Sequence, residues 1–412
     1  MTFSSLGLSK DLLDAVKVAG YEAPTSVQQQ VIPLILRGQD VIAQAKTGTG
    51  KTASFALPVL QLVQASVSGP KKVIKALVLA PTRELAMQVE HAFKAYGRQL
   101  TRPLRTITLI GGLNIDLQIR NLHHGADIAV ATPGRLLDLI KRRSVDLSML
   151  NILIVDEADK MFDLGFAEEL AAVLNALPPN RQNLLFSATM PEKVVVLAQK
   201  FMKAPVQVKE EEGAPTAELI YQRVIDVNRT NRGPLLRHLI QTEQWAQVLI
   251  FVASVRDADV LVVKLLKADI QANAFHGGLT QAQREHVLKE FKTGRLRVLV
   301  ATDIAARGID IKKLPCVINY DLPRSPNDYI HRIGRTARAG EKGVAVSFVG
   351  HEDQAHFRLI EKRCRVRLSR ESIKGFELTG QPPPGTKGPA PVKGRRMSKK
   401  DKARALALKE GR

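Results

Sequence analysis

The chain has 412 residues, 45% hydrophobic and 25% charged, which is ordinary for globular protein and long enough for about two or three domains. Its 61 Lys and Arg against 40 Asp and Glu leave a net charge of +21, an excess that concentrates polyanions and points to nucleic acid. No apolar run approaches the ~18 residues of a membrane span, the start Met-Thr-Phe-Ser-Ser lacks a basic-then-apolar leader, and Cys316 and Cys364 make neither a disulfide framework nor a zinc site, so a cytoplasmic protein without a membrane partner is expected.

In chain order, short aliphatic runs alternate with longer helical patterns, the signature of a parallel sheet covered by helices. Strands are expected at 41–43, 76–80, 106–110, 128–131, 152–155 and 183–186. A polar break, Lys-Glu-Glu-Glu-Gly-Ala-Pro-Thr at 209–216, reads as a linker. The alternation returns with strands at 248–252, 272–275, 298–301, 317–319 and 344–348. Cys316 lies in one of these runs, where a buried free thiol is expected. The expected organisation is a first domain at 1–208, a linker at 209–216, a second domain at 217–370 and a basic, mostly disordered tail at 371–412.

Two segments carry chemistry. Ala45-Lys46-Thr47-Gly48-Thr49-Gly50-Lys51-Thr52 follows the first strand and precedes a helical pattern, the context a phosphate loop needs. Backbone N–H groups of Thr47, Gly48, Thr49 and Gly50 then point at phosphate, and the helix N-terminus adds its positive end. Lys51 reaches the outer phosphates and Thr52 ligates Mg²⁺. Asp156 and Glu157 directly follow the aliphatic strand at 152–155, at the carboxyl edge where open α/β sheets bind ligands. An aspartate there holds Mg²⁺ through water, and the adjacent glutamate deprotonates an attacking water. The second half has no Gly-Lys-Thr or Gly-Lys-Ser, so one nucleotide serves both domains.

Further motifs stand in fixed order: Phe3 with Gly20-Tyr21-Glu22-Ala23-Pro24-Thr25-Ser26-Val27-Gln28, then Pro81-Thr82-Arg83-Glu84-Leu85, Gly111-Gly112, Thr132-Pro133-Gly134-Arg135, Asp156-Glu157-Ala158-Asp159 and Ser187-Ala188-Thr189. In the second half come His276-Gly277-Gly278 with Gln281 and Arg284, Ala301-Thr302-Asp303 through Arg307-Gly308-Ile309-Asp310, and His331-Arg332-Ile333-Gly334-Arg335-Thr336-Ala337-Arg338. Over roughly residues 1–370 this series resembles the DEAD-box RNA helicases. That family's own phosphate loop begins with Ala, as here.

The resemblance implies two tandem RecA-like α/β domains, each a parallel sheet flanked by helices, that use ATP and Mg²⁺. It implies Lys51, Glu157, Arg335 and Arg338 in catalysis, the two arginines as fingers reaching from the second domain. Gln28 pairs with the adenine edge, since a carboxamide both donates and accepts; Phe3 or Tyr21 stacks on the ring, the resemblance favouring Phe3. Gly308 and Asp310 join the nucleotide site, Asp310 at the ribose, and Ser187, Thr189 and His331 couple it to RNA. RNA backbone contacts fall to Pro81, Thr82, Arg83, Gly111, Gly112, Thr132, Gly134 and Arg135, and to Gln281, Arg284 and Thr302 from the second domain. Aromatics are scarce, 5% with the single Trp245, so base-stacking platforms are not expected and recognition is largely independent of sequence.

Residues 387–412 hold ten Lys or Arg against Asp401 and Glu410, a net of 10 − 2 = +8, in a Pro- and Gly-rich setting. Such a tail is too short for a folded RNA-recognition domain and resembles that of short bacterial, RhlE-like members. The expected activity is RNA-stimulated ATP hydrolysis coupled to local unwinding of short RNA duplexes and ribonucleoprotein remodelling. Ribosome assembly or RNA turnover is the expected setting, with ribosomal precursor particles or RNA-decay proteins as partners. A DNA translocase would share the ATPase parts, and an RNA clamp would need only the basic surface.

Overall fold

The computed structural model describes residues 1–45, 49–66, 73–210, 220–306, 311, 314–336 and 343–381, without the side chains of residues 304 and 327. The first sheet is built from β1 (Val41–Gln44), β2 (Ala76–Leu79), β3 (Thr106–Leu109), β4 (Ile128–Ala131), β5 (Ile152–Val155), β6 (Gln182–Ser187) and β7 (Val206–Lys209), in the order β3-β4-β2-β5-β6-β1-β7. Every pair is parallel. Helices cover both faces, so β2, β4 and β5 are buried throughout, as all-parallel strands must be. Side chains alternate across the sheet: Val78 and Ile154 pack with Phe55 and Phe93 on one face, Leu77 and Leu153 with Leu136 and Leu170 on the other.

The second sheet contains β8 (Ile220–Asp226), β9 (Val248–Val252), β10 (Ala272–Phe275), β11 (Val298–Thr302), β12 (Cys316–Asn319), β13 (Gly343–Val349) and β14 (Arg370–Glu371), in the order β10-β11-β9-β12-β13-β8-β14. It too is parallel. Cys316 is buried and free. Among the described residues no helix is long and apolar enough to cross a membrane.

Three strands lie outside the expected set. β7 and β14 are edge strands, half-exposed and partly charged, and β8 interleaves Tyr221, Gln222 and Arg223 with its apolar residues. The expected tail boundary also needs correction. β14 pairs with β8, Ile373 and Phe376 pack on the second core, and Thr379 exchanges hydrogen bonds with Asn228 at 3.0 and 3.1 Å. The chain therefore stays on the second domain to Thr379, about ten residues beyond 370. Lys209 closes β7. Residues 211–219, most of the expected linker, and 382–412 lie outside the described residues.

Because all strands of a sheet run one way, the segments that follow them gather at one edge. In the first sheet, neighbours β5, β6 and β1 lead to Asp156-Glu157, Ser187-Ala188-Thr189 and Thr49–Thr52. Strands β2, β4 and β3, on the other half, lead to Pro81–Arg83, Thr132–Arg135 and Gly111-Gly112.

Candidate active site

The phosphate-loop half is assembled by the Thr25–Gln28 segment. Thr25 caps the helix Ser26–Leu36 in a capping box, with Gln28 Oε1 accepting from Thr25 N at 2.9 Å. Thr25 Oγ1 donates to Thr49 O at 2.8 Å, and Gln28 Nε2 donates to Gly50 O at 3.2 Å. Gly50 has φ +86°, and a Cβ there would collide with Gln28 Nε2; only glycine fits both requirements. Gln28 thus fastens the loop, and its carboxamide keeps one further N–H and one lone pair. Phe3 stacks on Tyr21 with ring centroids 6.3 Å apart, and Tyr21 meets Tyr96 through their hydroxyls at 2.8 Å. Phe3 is buried in the core while Tyr21 is 39% exposed.

Lys51 opens the helix Lys51–Ser66, with Thr52 next, so the helix N-terminus faces the strand ends. Lys51 is buried, and its Nζ has no hydrogen-bond partner among the described residues. Asp156 and Glu157 are buried beside it. Burial pushes the Asp156 carboxyl up to about 6, against the pull of Lys51. Burial also acts to raise Glu157, but Lys160, Lys51 and Arg335 together outweigh it and hold this carboxyl below its ordinary value. Glu157 sits at φ 52°, ψ 50°, a left-handed backbone costing a non-glycine residue roughly 1–2 kcal/mol. The turn at the end of β5 thereby swings both carboxylates into one cluster.

The remaining DEAD residue is a junction. Asp159 Oδ2 accepts from Thr189 N at 2.9 Å and Thr189 Oγ1 at 2.7 Å; Asp159 N donates to Ser187 Oγ, which donates to Thr189 O at 2.7 Å. Ser187 and Thr189 are thus tied to the acidic turn. Asp159 is not among the expected site residues, and its place within the Asp-Glu-Ala-Asp run is its only signal in the sequence.

The second domain closes over this cluster. His331, on the helix Pro326–Ile333, is lowered to about 4 by burial, with Lys160 and Arg335 acting the same way and Asp159 and Glu157 opposing. Arg335 is buried close to Glu157. Arg332 holds this helix from behind: it forks onto Asp303 at 2.6 and 2.7 Å, donates to Asn319 Oδ1 at 3.0 Å, and lies 4.7 Å over the Phe251 ring. Arg332 therefore positions the helix from inside the domain while its neighbours face the cleft. Thr47, Gly48, Gly308, Asp310 and Arg338 lie outside the described residues.

On the other half of the edge the expected RNA residues converge. Thr82 follows Pro81 and caps the helix Arg83–Gly97 through Leu85 N at 3.2 Å. The Arg83 guanidinium lies against Gly111 and Gly112; Gly112 has φ +79°, and any Cβ there would strike Arg83. Arg135 donates to Leu113 O at 3.0 Å and lies near enough to Arg83 to feel its charge. Thr132 precedes Pro133 at the first turn of the helix Pro133–Lys141 without capping it, and a Cβ on Gly134 would meet nothing. This is an open, positive helix start, suited to a phosphate backbone. Thr302 ends β11 across the cleft.

Gln281 and Arg284, expected at the RNA, make contacts between the domains. Arg284 Nε pairs with Glu84 Oε1 at 2.7 Å, both buried, and Gln281 Nε2 lies 3.2 Å from Met87 Sδ. They join the second domain to the helix Arg83–Gly97, whose first residues carry the expected RNA contacts. Removing one member of such a buried pair costs ~3–5 kcal/mol.

Residues 25–197 match the DEAD/DEAH box helicase family and residues 232–340 the helicase conserved C-terminal domain. The chain is 42% identical over 368 residues to the DEAD-box ATP-dependent RNA helicase CshA of Streptococcus pneumoniae, covering 89% of this chain and 69% of that protein. Among solved structures it resembles S. cerevisiae Dbp5 bound to RNA and ADP BeF3, at 32% identity and TM-score 0.78, covering 90% of this chain and 95% of the other. It also resembles Mss116p bound to ssRNA and AMP-PNP, at 29% identity and TM-score 0.81, covering 91% and 80%.

Proposed function

From the premise that the chain belongs to the DEAD-box family of ATP-dependent RNA helicases, we propose that it hydrolyses ATP between its two domains and uses closure to open short RNA duplexes locally. One observation carries this reading. Lys51 Nζ and Glu157 Oε2 are both buried without a hydrogen-bond partner among the described residues, while His331 and Arg335 of the second domain close on the same cluster. Buried polar atoms are normally satisfied, so a cleft that gathers such atoms fits a polar ligand. A nucleoside triphosphate would supply phosphate oxygens for Lys51, and a solvent water beside its terminal phosphate would meet Glu157.

In this reading Gln28 uses its remaining donor and acceptor on the adenine edge, with the Phe3–Tyr21 pair beside the ring. Glu157 takes a proton from the water attacking the terminal phosphorus as the bond to the leaving oxygen breaks. Arg335 and Arg338 stabilise the charge spread over the transferring group, worth roughly 10³–10⁵ in rate. Mg²⁺ suits the hard oxygen donors present, Thr52 Oγ1 and Asp156 through water, and would neutralise phosphate charge there. RNA lies along Arg83, Gly111, Gly112, Thr132, Gly134, Arg135 and Thr302. Because Glu84 and Met87 belong to the helix that Thr82 caps, the Arg284 and Gln281 contacts link RNA seating to domain closure. A setting in ribosome assembly or RNA turnover, with precursor particles or decay proteins as partners, and the RhlE-like subgroup complete the proposal.

The test compares ATP turnover with RNA and DNA oligonucleotides of one sequence, and strand release from RNA duplexes of about one and about three helical turns. RNA alone should stimulate, and the short duplex should open far faster. Equal stimulation by DNA would restore the translocase reading.

A further inference from the structure

Lys160 is buried at the domain interface and has no role in the scheme above. Its Nζ lies 2.9 Å from Glu157 Oε1, with side-chain exposures of 4% and 5%. The contact is an ion pair, since neither Lys160 Nζ nor Glu157 Oε2 has a hydrogen-bond partner among the described residues, and Oε2 stands apart from the pair. Lys160 is itself held in place, since its backbone N donates to Asp159 Oδ1 at 3.0 Å and Asp159 is fixed by Thr189 and Ser187. His331 of the second domain lies close enough to Lys160 to feel its charge.

We propose that Lys160 is a positioning residue for hydrolysis: it anchors one oxygen of Glu157 so that the other, Oε2, is the atom presented to the attacking water. A carboxylate tethered at one oxygen loses its freedom to rotate, and the unanchored oxygen points where the tether directs it. The tether runs through Asp159 to Ser187 and Thr189, so the orientation of the base is set by the strand ends of β5 and β6 together. His331 covers the ion pair when the domains meet, which excludes water that would otherwise compete for Lys160. The inference rests on Glu157 acting as the base.

The test uses the full chain carrying Lys160→Met, which keeps length and removes charge, with Lys160→Arg and Glu157→Gln in parallel. A misplacement near 1 Å can cost ~10²-fold in rate, so kcat for RNA-stimulated ATP hydrolysis should fall roughly ten- to a hundredfold in Lys160→Met. KM for ATP and closure with RNA and AMP-PNP, followed by energy transfer between the domains, should stay within about twofold, and Lys160→Arg should recover much of the loss. If Lys160→Met does not fold, Lys160→Gln is judged by the same split. An unchanged kcat overturns the proposal, as does a parallel loss of KM or closure, which would make Lys160 a packing residue. If Glu157→Gln keeps normal turnover, the base assignment fails instead.

Discussion

The two sheets share one layout, so β8 occupies the place of β1 and β12 that of β5, yet they treat a buried cation in opposite ways. After β1 the chain turns through Gly50 to Lys51, whose Nζ has no hydrogen-bond partner among the described residues. After β8 it runs through Asn228 to Arg232, the first residue of the helix Arg232–Thr242. Arg232 is as buried as Lys51, but it donates to Tyr320 O at 3.1 Å and Asp321 Oδ1 at 2.9 Å, and to Asp353. Its own chain fills the position that a phosphate loop leaves open. Fold and charge are alike in the two places; satisfaction of the charge separates scaffold from binding site.

The largest effect that comparison predicts is chemical. Glu157→Gln keeps shape but cannot take a proton, so turnover should fall ~10²–10⁴-fold while ATP and RNA still bind. Near-normal hydrolysis would falsify the base assignment. Next come paired methionine substitutions with opposite signatures. Arg232→Met strands Asp321 and Asp353 and should destabilise the second domain by ~3–5 kcal/mol, a melting shift on the order of 10 °C. Lys51→Met should change melting of the free protein little while abolishing ATP hydrolysis. Equal melting shifts for the two variants, read by calorimetry, would erase the distinction between the sites.

Legibility in the sequence followed burial and proximity. Strands such as Ile152–Val155 and Val248–Val252 were readable because both faces are covered, which demands an unbroken aliphatic run. Val206–Lys209 and Arg370–Glu371 pair on one side only and carry no such run. The motifs themselves were legible because most are short contiguous runs. Their pairings were not: Arg284 meets Glu84 and His331 approaches Lys160 across domains, and no local pattern encodes a contact between residues so far apart in the chain. Gln28 shows the same limit, since its spacing to Thr25 revealed a motif but not that its amide also fastens Gly50.

His331 offers a smaller, graded test of closure. Burial holds its imidazole near 4 in the closed form, whereas the ordinary value is 6.5. With the closed-form value depressed, the open form binds the proton first. Closure is therefore unpenalised above pH 6.5, weakens as pH falls through 6.5, and stops weakening below about 4. The loss approaches ~10-fold in the closure constant per pH unit within that window. Titrating energy transfer between the domains from pH 7.5 to 5.5, with RNA and AMP-PNP bound, should show it, and His331→Gln should flatten the profile relative to the parent. Identical profiles would mean that His331 stays solvated on closure.

The smallest effect concerns the basic segment beyond the second domain. Asn228 and Thr379 secure the chain at the edge where β8 ends, and residues 382–412 beyond it carry a net charge of +8. Deleting 382–412 leaves that latch intact, so the cut tests the charges and not the packing of Phe376. If the basic residues meet RNA phosphates, the truncated protein should bind RNA more weakly and with a flatter salt dependence. Each single-strand phosphate contact contributes about −0.7 to the slope of log K against log salt. Three or four lost contacts would change that slope by roughly 2–3, a difference readily resolved by anisotropy between 50 and 200 mM salt. At saturating RNA, ATP turnover should survive, because every residue assigned to the chemistry precedes the cut. An unchanged slope would make the segment a solubilising tail, and a collapse of turnover at saturating RNA would show that it reaches the cleft.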